Sequence, residues 1–266
     1  MIDVALAVFR RDWEIERTYR MRLLLVVAST AALAAGLYFI GQLVTDPPEL
    51  AGYSGTYFDF ALVGLAVTSF AGVGLRSFGT SMITEQNTGT IDLLLASPAS
   101  RAGLLSGLFL FPFLLAAAEV GGLLGVGIGI LGSGMPIGGL LMSVPVLILT
   151  TISFAAVGIA AGGILIIAKR GDPISGPFFQ ITMLLSGAVY PVSVLPGFLR
   201  VIAWCIPATW GITATRDLLL GGAGWREVLP YVLVLVGFVA VLLPLSLAAF
   251  RACVATARRH GLLGSY

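Results

Sequence analysis

Between positions 120 and 168 the chain carries no charged residue, a run of 49. As a single α-helix this run would extend about 74 Å, more than twice a hydrocarbon core of about 30 Å. It therefore holds enough apolar length for two membrane crossings, and the turn cluster Gly132-Ser133-Gly134-Met135-Pro136 divides it between them. The rest of the composition agrees: 58% of residues are apolar and 11% charged, against about 25% charged in a soluble domain. The charges gather in short clusters between apolar stretches, the layout of a polytopic helical bundle. A transmembrane barrel would show segments of about ten alternating residues instead. The expected fold class is thus an all-α integral membrane protein, a single transmembrane domain over residues 1–266.

Each crossing needs about 20 apolar residues, and six are expected, at 23–45, 57–83, 103–131, 137–168, 174–189 and 228–250. The Arg-rich segment before the first contains several acids and feeds an apolar run longer than a signal-peptide core, so the first span is read as uncleaved. In the second, Asp59 sits at one mouth and Arg76 can snorkel at the other. Segment 190–227 is too apolar for a free loop, yet Pro191, Pro196, Pro207, Gly221 and Gly222 break it too often for one crossing. It reads as a re-entrant pair of short helices sheltered by protein, because lipid cannot satisfy broken backbone. Twelve of the fifteen Lys and Arg residues then fall on one side, leaving Arg200, Arg216 and Arg226 opposite. The positive-inside rule places both termini in the cytoplasm.

Composition excludes several functions. The only lysine, Lys169, precedes Arg170, so no G-x-x-x-x-G-K-[ST] phosphate loop exists and any nucleotide hydrolysis must come from a partner. The only histidine, His260, lies in an Arg-rich tail, which excludes His-pair zinc sites and argues against a Ser-His triad in the bilayer. No catalytic or metal-ligating set is expected. Cys205 and Cys253 fall on opposite membrane faces and cannot pair. A net charge of +2 does not suggest a nucleic-acid partner.

Three features remain as candidates for function. Ile2, Leu6, Phe9 and Trp13 recur on one face of segment 1–20, opposite Asp3, Arg10, Glu14 and Arg17, which predicts an amphipathic helix lying on the cytoplasmic surface. Glu119 stands deep in the third apolar segment, and an intramembrane carboxylate is a functional candidate, for a substrate path or for a polar contact. Just beyond it Gly121, Gly125 and Gly129 are spaced for close helix packing. Tyr190, Trp204, Trp210 and Trp225 are expected in an outer interfacial belt.

The third feature is the cytoplasmic stretch Glu85-Gln-Asn-Thr-Gly-Thr-Ile-Asp-Leu-Leu-Leu-Ala-Ser-Pro98. Thr88 or Thr90 can cap a short helix that puts Ile91, Leu94 and Leu95 on one face. Ser97 then serves as N-cap and Pro98 as first helical residue of the next span. Exposed leucines at the membrane surface call for a partner or for lipid headgroups to cover them.

This stretch resembles the coupling-helix signature of ABC-2-type transporter permeases, the membrane subunits of one class of ATP-binding-cassette exporters. Glu85, Gly89, Thr90, Asp92, Leu94, Leu95, Ser97 and Pro98 match position by position; Ile91 replaces an expected leucine or methionine. The later motif of Ser186, Gly187, Tyr190, Pro191, Leu195 and Pro196, followed by Pro207 and Arg216, is similar to the family's outer re-entrant gate. The resemblance implies a docking groove on a separate cytoplasmic ATPase, itself a dimer that binds ATP and Mg, with no cofactor on this chain. It also implies a second permease, identical or sister, and the plasma membrane of a bacterium. The cargo implied is an amphipathic drug, lipid or lipid-linked glycan moved outward. The alternative is a proton-coupled secondary transporter using Glu119, against which the lack of internal repeat symmetry argues.

Overall fold

A computed structural model describes residues 9–11, 13–14, 20–43, 52–87, 101–129, 135–168 and 174–259. Among them eight α-helices and one 3₁₀ turn appear, and no strand. The helices are α1 (Arg20–Leu43), α2 (Tyr57–Asn87), α3 (Arg101–Gly129), α4 (Ile137–Ala168), α5 (Ser175–Leu185), α6 (Gly197–Trp204), α7 (Pro207–Leu219) and α8 (Trp225–Arg259). Four contain stretches long and apolar enough to cross a membrane: Tyr57–Gly79, Leu110–Gly129, Gly138–Leu165 and Trp225–Ala257. The pair α6 and α7, bent by 86°, makes a fifth if counted as one broken span.

Helix α2 is the axis of the bundle. Of its apolar stretch 89% is buried, against 17% for that of α8, so α2 meets protein nearly all round while most of the α8 surface is left uncovered by this chain. α2 packs on α1, α3, α4, α5 and α7; α8 packs on α4 and α7. Phe60, Leu62, Val63, Val67 and Leu75 are fully enclosed, and at about 2 kcal/mol for burying each such side chain they would anchor a soluble core. In lipid the drive is close packing instead, which requires small residues where helices cross. A Cβ on Gly74 would collide with the Thr151 carbonyl, and one on Gly158 with the Leu75 carbonyl. These two glycines let α2 and α4 touch backbone to backbone.

The expected packing stripe behaves otherwise. Cβ atoms built on Gly121, Gly125 and Gly129 meet nothing within 4 Å, so within this chain the stripe looks outward and the close approaches lie elsewhere. Four buried hydroxyls of α2 and α4 are satisfied locally: Thr68 donates to the Gly64 carbonyl (2.9 Å), Thr150 to Val146 (2.8 Å), Thr151 to Leu147 (2.6 Å) and Ser153 to Leu149 (2.9 Å). Each reaches its own helix one turn back, as polar groups away from water must.

Two helix lengths depart from expectation. Where a crossing was expected at 174–189, α5 has 11 residues, about 17 Å, and does not span a hydrocarbon core alone. Its end is set by Gly187, whose φ of +79° is a left-handed conformation that favours glycine. Helix α8 continues to Arg259, past the expected limit at 250. Arg251 and Arg259 are exposed, and arginine is a good helix former: the charges do not mark where the helix ends. At the N-terminus residues 9–11 and 13–14 are helical, and the Phe9 and Trp13 rings pack on Phe111 of α3 at 5.8 and 6.5 Å between centroids. Arg10 and Glu14 pair on the opposite, exposed face at 3.1 Å.

Candidate functional site at the bent helix pair

Ending α5 and starting two short helices inside a membrane protein frees many backbone groups, and each unsatisfied one is costly away from water. The carbonyls of the turn after α5 are taken up by side chains. Leu184 accepts from the Tyr190 hydroxyl and Val189 from the Tyr57 hydroxyl at 3.0 Å. Gly187 accepts from Arg216 Nη1 at 2.8 Å and Ala188 from Arg216 Nη2 at 2.7 Å. Pro191 then opens the 3₁₀ turn Val192–Val194, Leu195 is buried behind it, and Pro196 caps α6. At the 86° break Pro207 occupies the first turn of α7, where its missing N–H does no harm. The last carbonyls of α6 are met by α7: Thr209 donates to Ala203 at 2.6 Å and the Trp210 indole to Trp204 at 2.8 Å.

Arg216 is the hub. It is 4% exposed, and besides the turn carbonyls its Nε and Nη2 donate to the Phe60 carbonyl of α2 at 3.1 and 2.9 Å. Its guanidinium lies 3.3 Å over the Phe60 ring, so one cation ties α7, α2 and the α5 turn together through hydrogen bonds and a cation–π contact. The approach requires Gly64: a Cβ there would run into the Ala188 carbonyl and come within 2.5 Å of Arg216 Nη2.

A second layer of polar contacts closes the same end. Asp217 accepts hydrogen bonds from Tyr53, in the segment before α2, and from Tyr231 of α8. Burial first, and then the Asp217 charge, push the Tyr53 hydroxyl up to about 12, so it remains a donor at neutral pH. Ser54 bonds the Leu220 carbonyl through its backbone N–H at 2.9 Å and its hydroxyl at 2.5 Å. Helix α2 begins beside these contacts, with Asp59 accepting from the Thr56 N–H at 2.8 Å and hydroxyl at 3.0 Å. An acid in the first turn also matches the helix dipole. The arrangement ties α7 and the turn after α5 to α2 and α8, and among the described residues it contains no acid–base or nucleophile pair poised for chemistry.

Of the expected gate residues, Gly187, Pro191, Leu195, Pro196, Pro207 and Arg216 therefore meet around one turn and one break. Ser186 is buried, and its hydroxyl has no hydrogen-bond partner among the described residues. Tyr53, Tyr57, Gly64, Asp217 and Tyr231 were not singled out in the sequence; the weak signal was an Arg-Asp pair inside an apolar segment. Glu119 is half-buried on α3, on the face that also carries the enclosed Ala116, Val120 and Leu123, and it engages other groups there. Of segment 85–98, Glu85 falls in the final turns of α2. Gly89, Thr90, Ile91, Asp92, Leu94, Leu95, Ser97 and Pro98 lie outside the described residues.

Known proteins supply the remaining comparison. Over 193 residues the chain is 28% identical to ABC transporter G family member 20 of Dictyostelium discoideum, a match covering 70% of this chain and 25% of that protein. The chain thus spans about a quarter of the length of this relative. The ABC-2 type transporter family model matches residues 5–220, a range that takes in the helical residues 9–11 and 13–14, segment 85–98 and the whole bent pair. The multi-pass helical chain built around this clasp belongs to the ABC-2 type transporter family.

Proposed function

We propose that the chain is the permease subunit of an exporter driven by ATP hydrolysed on a separate cytoplasmic ATPase dimer. The observation that carries this reading is the family match over residues 5–220, which includes a stretch, 85–98, suited to docking. Closing of the ATPase dimer pushes on segment 85–98 of each of two permeases, identical or sister, and a route opens between them for an amphipathic drug, lipid or lipid-linked glycan. Six crossings are counted when α1 and α5 are added to the four long apolar stretches. On this reading α5 crosses together with the turn that follows it, and α6 and α7 re-enter from outside in the plasma membrane of a bacterium. The bent pair suits a seal. Its backbone is satisfied by side chains from several helices, so it moves as a unit with the Arg216 clasp or opens by breaking it.

Orientation is tested with a cysteine at position 260 in a background lacking Cys205 and Cys253. An impermeant maleimide is expected to label it only after the cytoplasmic face is opened; labelling of intact cells would refute the orientation. Glu119 distinguishes this reading from proton-coupled transport. Glu119→Gln keeps the shape and hydrogen bonding, so ATP-dependent export is expected to continue at a similar rate. Export that survives ATP depletion in the wild type and vanishes in Glu119→Gln would establish the proton-coupled alternative instead.

A further inference from the structure

Along the apolar stretch of α2 most positions are enclosed, and the openings form one stripe. Ser69 and Val73 are half-buried and Arg76 is exposed, at positions one helical turn apart on the same face. Beside this stripe the Phe179 ring of α5 is seated on Gly72, where even a Cβ would come within 2.8 Å of the ring. The Arg76 guanidinium lies 4.3 Å from the centre of that ring. Among the described residues no carboxylate pairs with Arg76 and no carbonyl accepts from it. Stacking occupies the guanidinium face and leaves its N–H donors, which lie in the plane, pointing outward. Arg76 stands about 29 Å along the helix axis from Tyr57, one hydrocarbon thickness away, at the depth of the opposite headgroup boundary.

We propose that Arg76, stacked on Phe179, is a binding site for the anionic headgroup of an amphipathic molecule, a phosphate or carboxylate carried on an acyl or alkyl chain, drawn from the inner leaflet. The charge selects the headgroup, the planar fork matches a two-oxygen anion, and Val73 with the apolar flank of α5 receives the first part of the chain. The site deepens the exporter reading by naming a cargo class, and it rests on that reading for its placement in the inner leaflet. A merely snorkelling arginine would meet headgroup phosphates without a fixed ring behind it.

The test uses the full chain in a neutral maltoside detergent and needs no ATPase, so its failure would leave the coupling proposal standing. Dodecyl phosphate, dodecyltrimethylammonium and inorganic phosphate are titrated, and ligand-induced thermal stabilisation is read. Wild type is expected to gain stability saturably with dodecyl phosphate alone. Arg76→Gln is expected to shift the midpoint about ten- to hundredfold, the range of one or two charge-assisted hydrogen bonds. Arg76→Lys and Phe179→Leu are expected to fall between, while Arg251→Gln, an exposed arginine of α8, is expected to match wild type. A wild-type titration in Arg76→Gln, or in both Arg76→Lys and Phe179→Leu should the first not fold, would overturn the proposal. Equal stabilisation by inorganic phosphate would overturn the amphipathic class.

Discussion

Arg216→Met is expected to lose about 2 to 6 kcal/mol of stability, because it deletes the donors of the Gly187 and Ala188 carbonyls while the cavity stays filled. A buried acceptor left unpaired costs about 1 to 3 kcal/mol, and those two carbonyls lie outside any helix, with no ladder bond in reserve. The Phe60 carbonyl, inside α2, is less exposed to the loss. Arg216→Lys is expected to recover only part, since a single ammonium cannot span Phe60, Gly187 and Ala188 as the fork does. Gly64→Ala attacks the same clasp from the other side and is expected to cost about 1 to 3 kcal/mol by overpacking against the Ala188 carbonyl. Thermal unfolding of purified chain in neutral detergent measures all three. Wild-type melting of Arg216→Met would show that the clasp does not hold the bent pair.

The second large effect is expected at the docking stretch. Leu94→Ala combined with Leu95→Ala is expected to leave the permease inserted and folded but to abolish co-purification with its ATPase and transport. A leucine lost from a well-packed apolar groove costs roughly 2 to 5 kcal/mol, and two such losses exceed what a peripheral docking contact tolerates. Glu85→Ala is expected to retain the complex and reduce coupling, because an exposed ion pair at a groove rim contributes only about 0 to 1 kcal/mol. On the proposed coupling the leucines hold the partner and the acids orient it. Complex yield measured by affinity capture, with export measured in parallel, separates the two; normal values for the double-leucine variant would leave the segment resting on lipid.

The legible parts of this fold were those written in charge and in helix breakers. The 49-residue uncharged run gave the apolar stretches of α3 and α4, because burial in lipid makes charge the dominant local cost, and Pro136 stands just before the first residue of α4. Proline spacing likewise exposed the bent pair, since Pro196 and Pro207 each open a helix. What the sequence hid was contact at a distance. Nothing local says that the Arg216 donors end on Phe60, Gly187 and Ala188, or that Gly64 is small for their sake. The glycine stripe of α3 has the same limit: spacing tells that helices can approach on that face, and only the fold tells that within this chain the close approach is that of α2 and α4 at Gly74 and Gly158. The length of α5 was hidden too. An apolar run from 174 to 189 looks continuous until Gly187 turns and the carbonyls around it find side chains from α2 and α7.

The central claim is that segment 85–98 delivers the motion of a separate ATPase to this chain. A photoreactive benzophenylalanine placed at position 94 in the native membrane tests it most directly. On illumination the chain is expected to form one dominant protein adduct whose partner carries a phosphate-binding G-x-x-x-x-G-K-[ST] loop and hydrolyses ATP, with the yield changing between nucleotide-free and nucleotide-trapped membranes. Crosslinking to lipid alone, with the same probe and unchanged by nucleotide, would contradict the account.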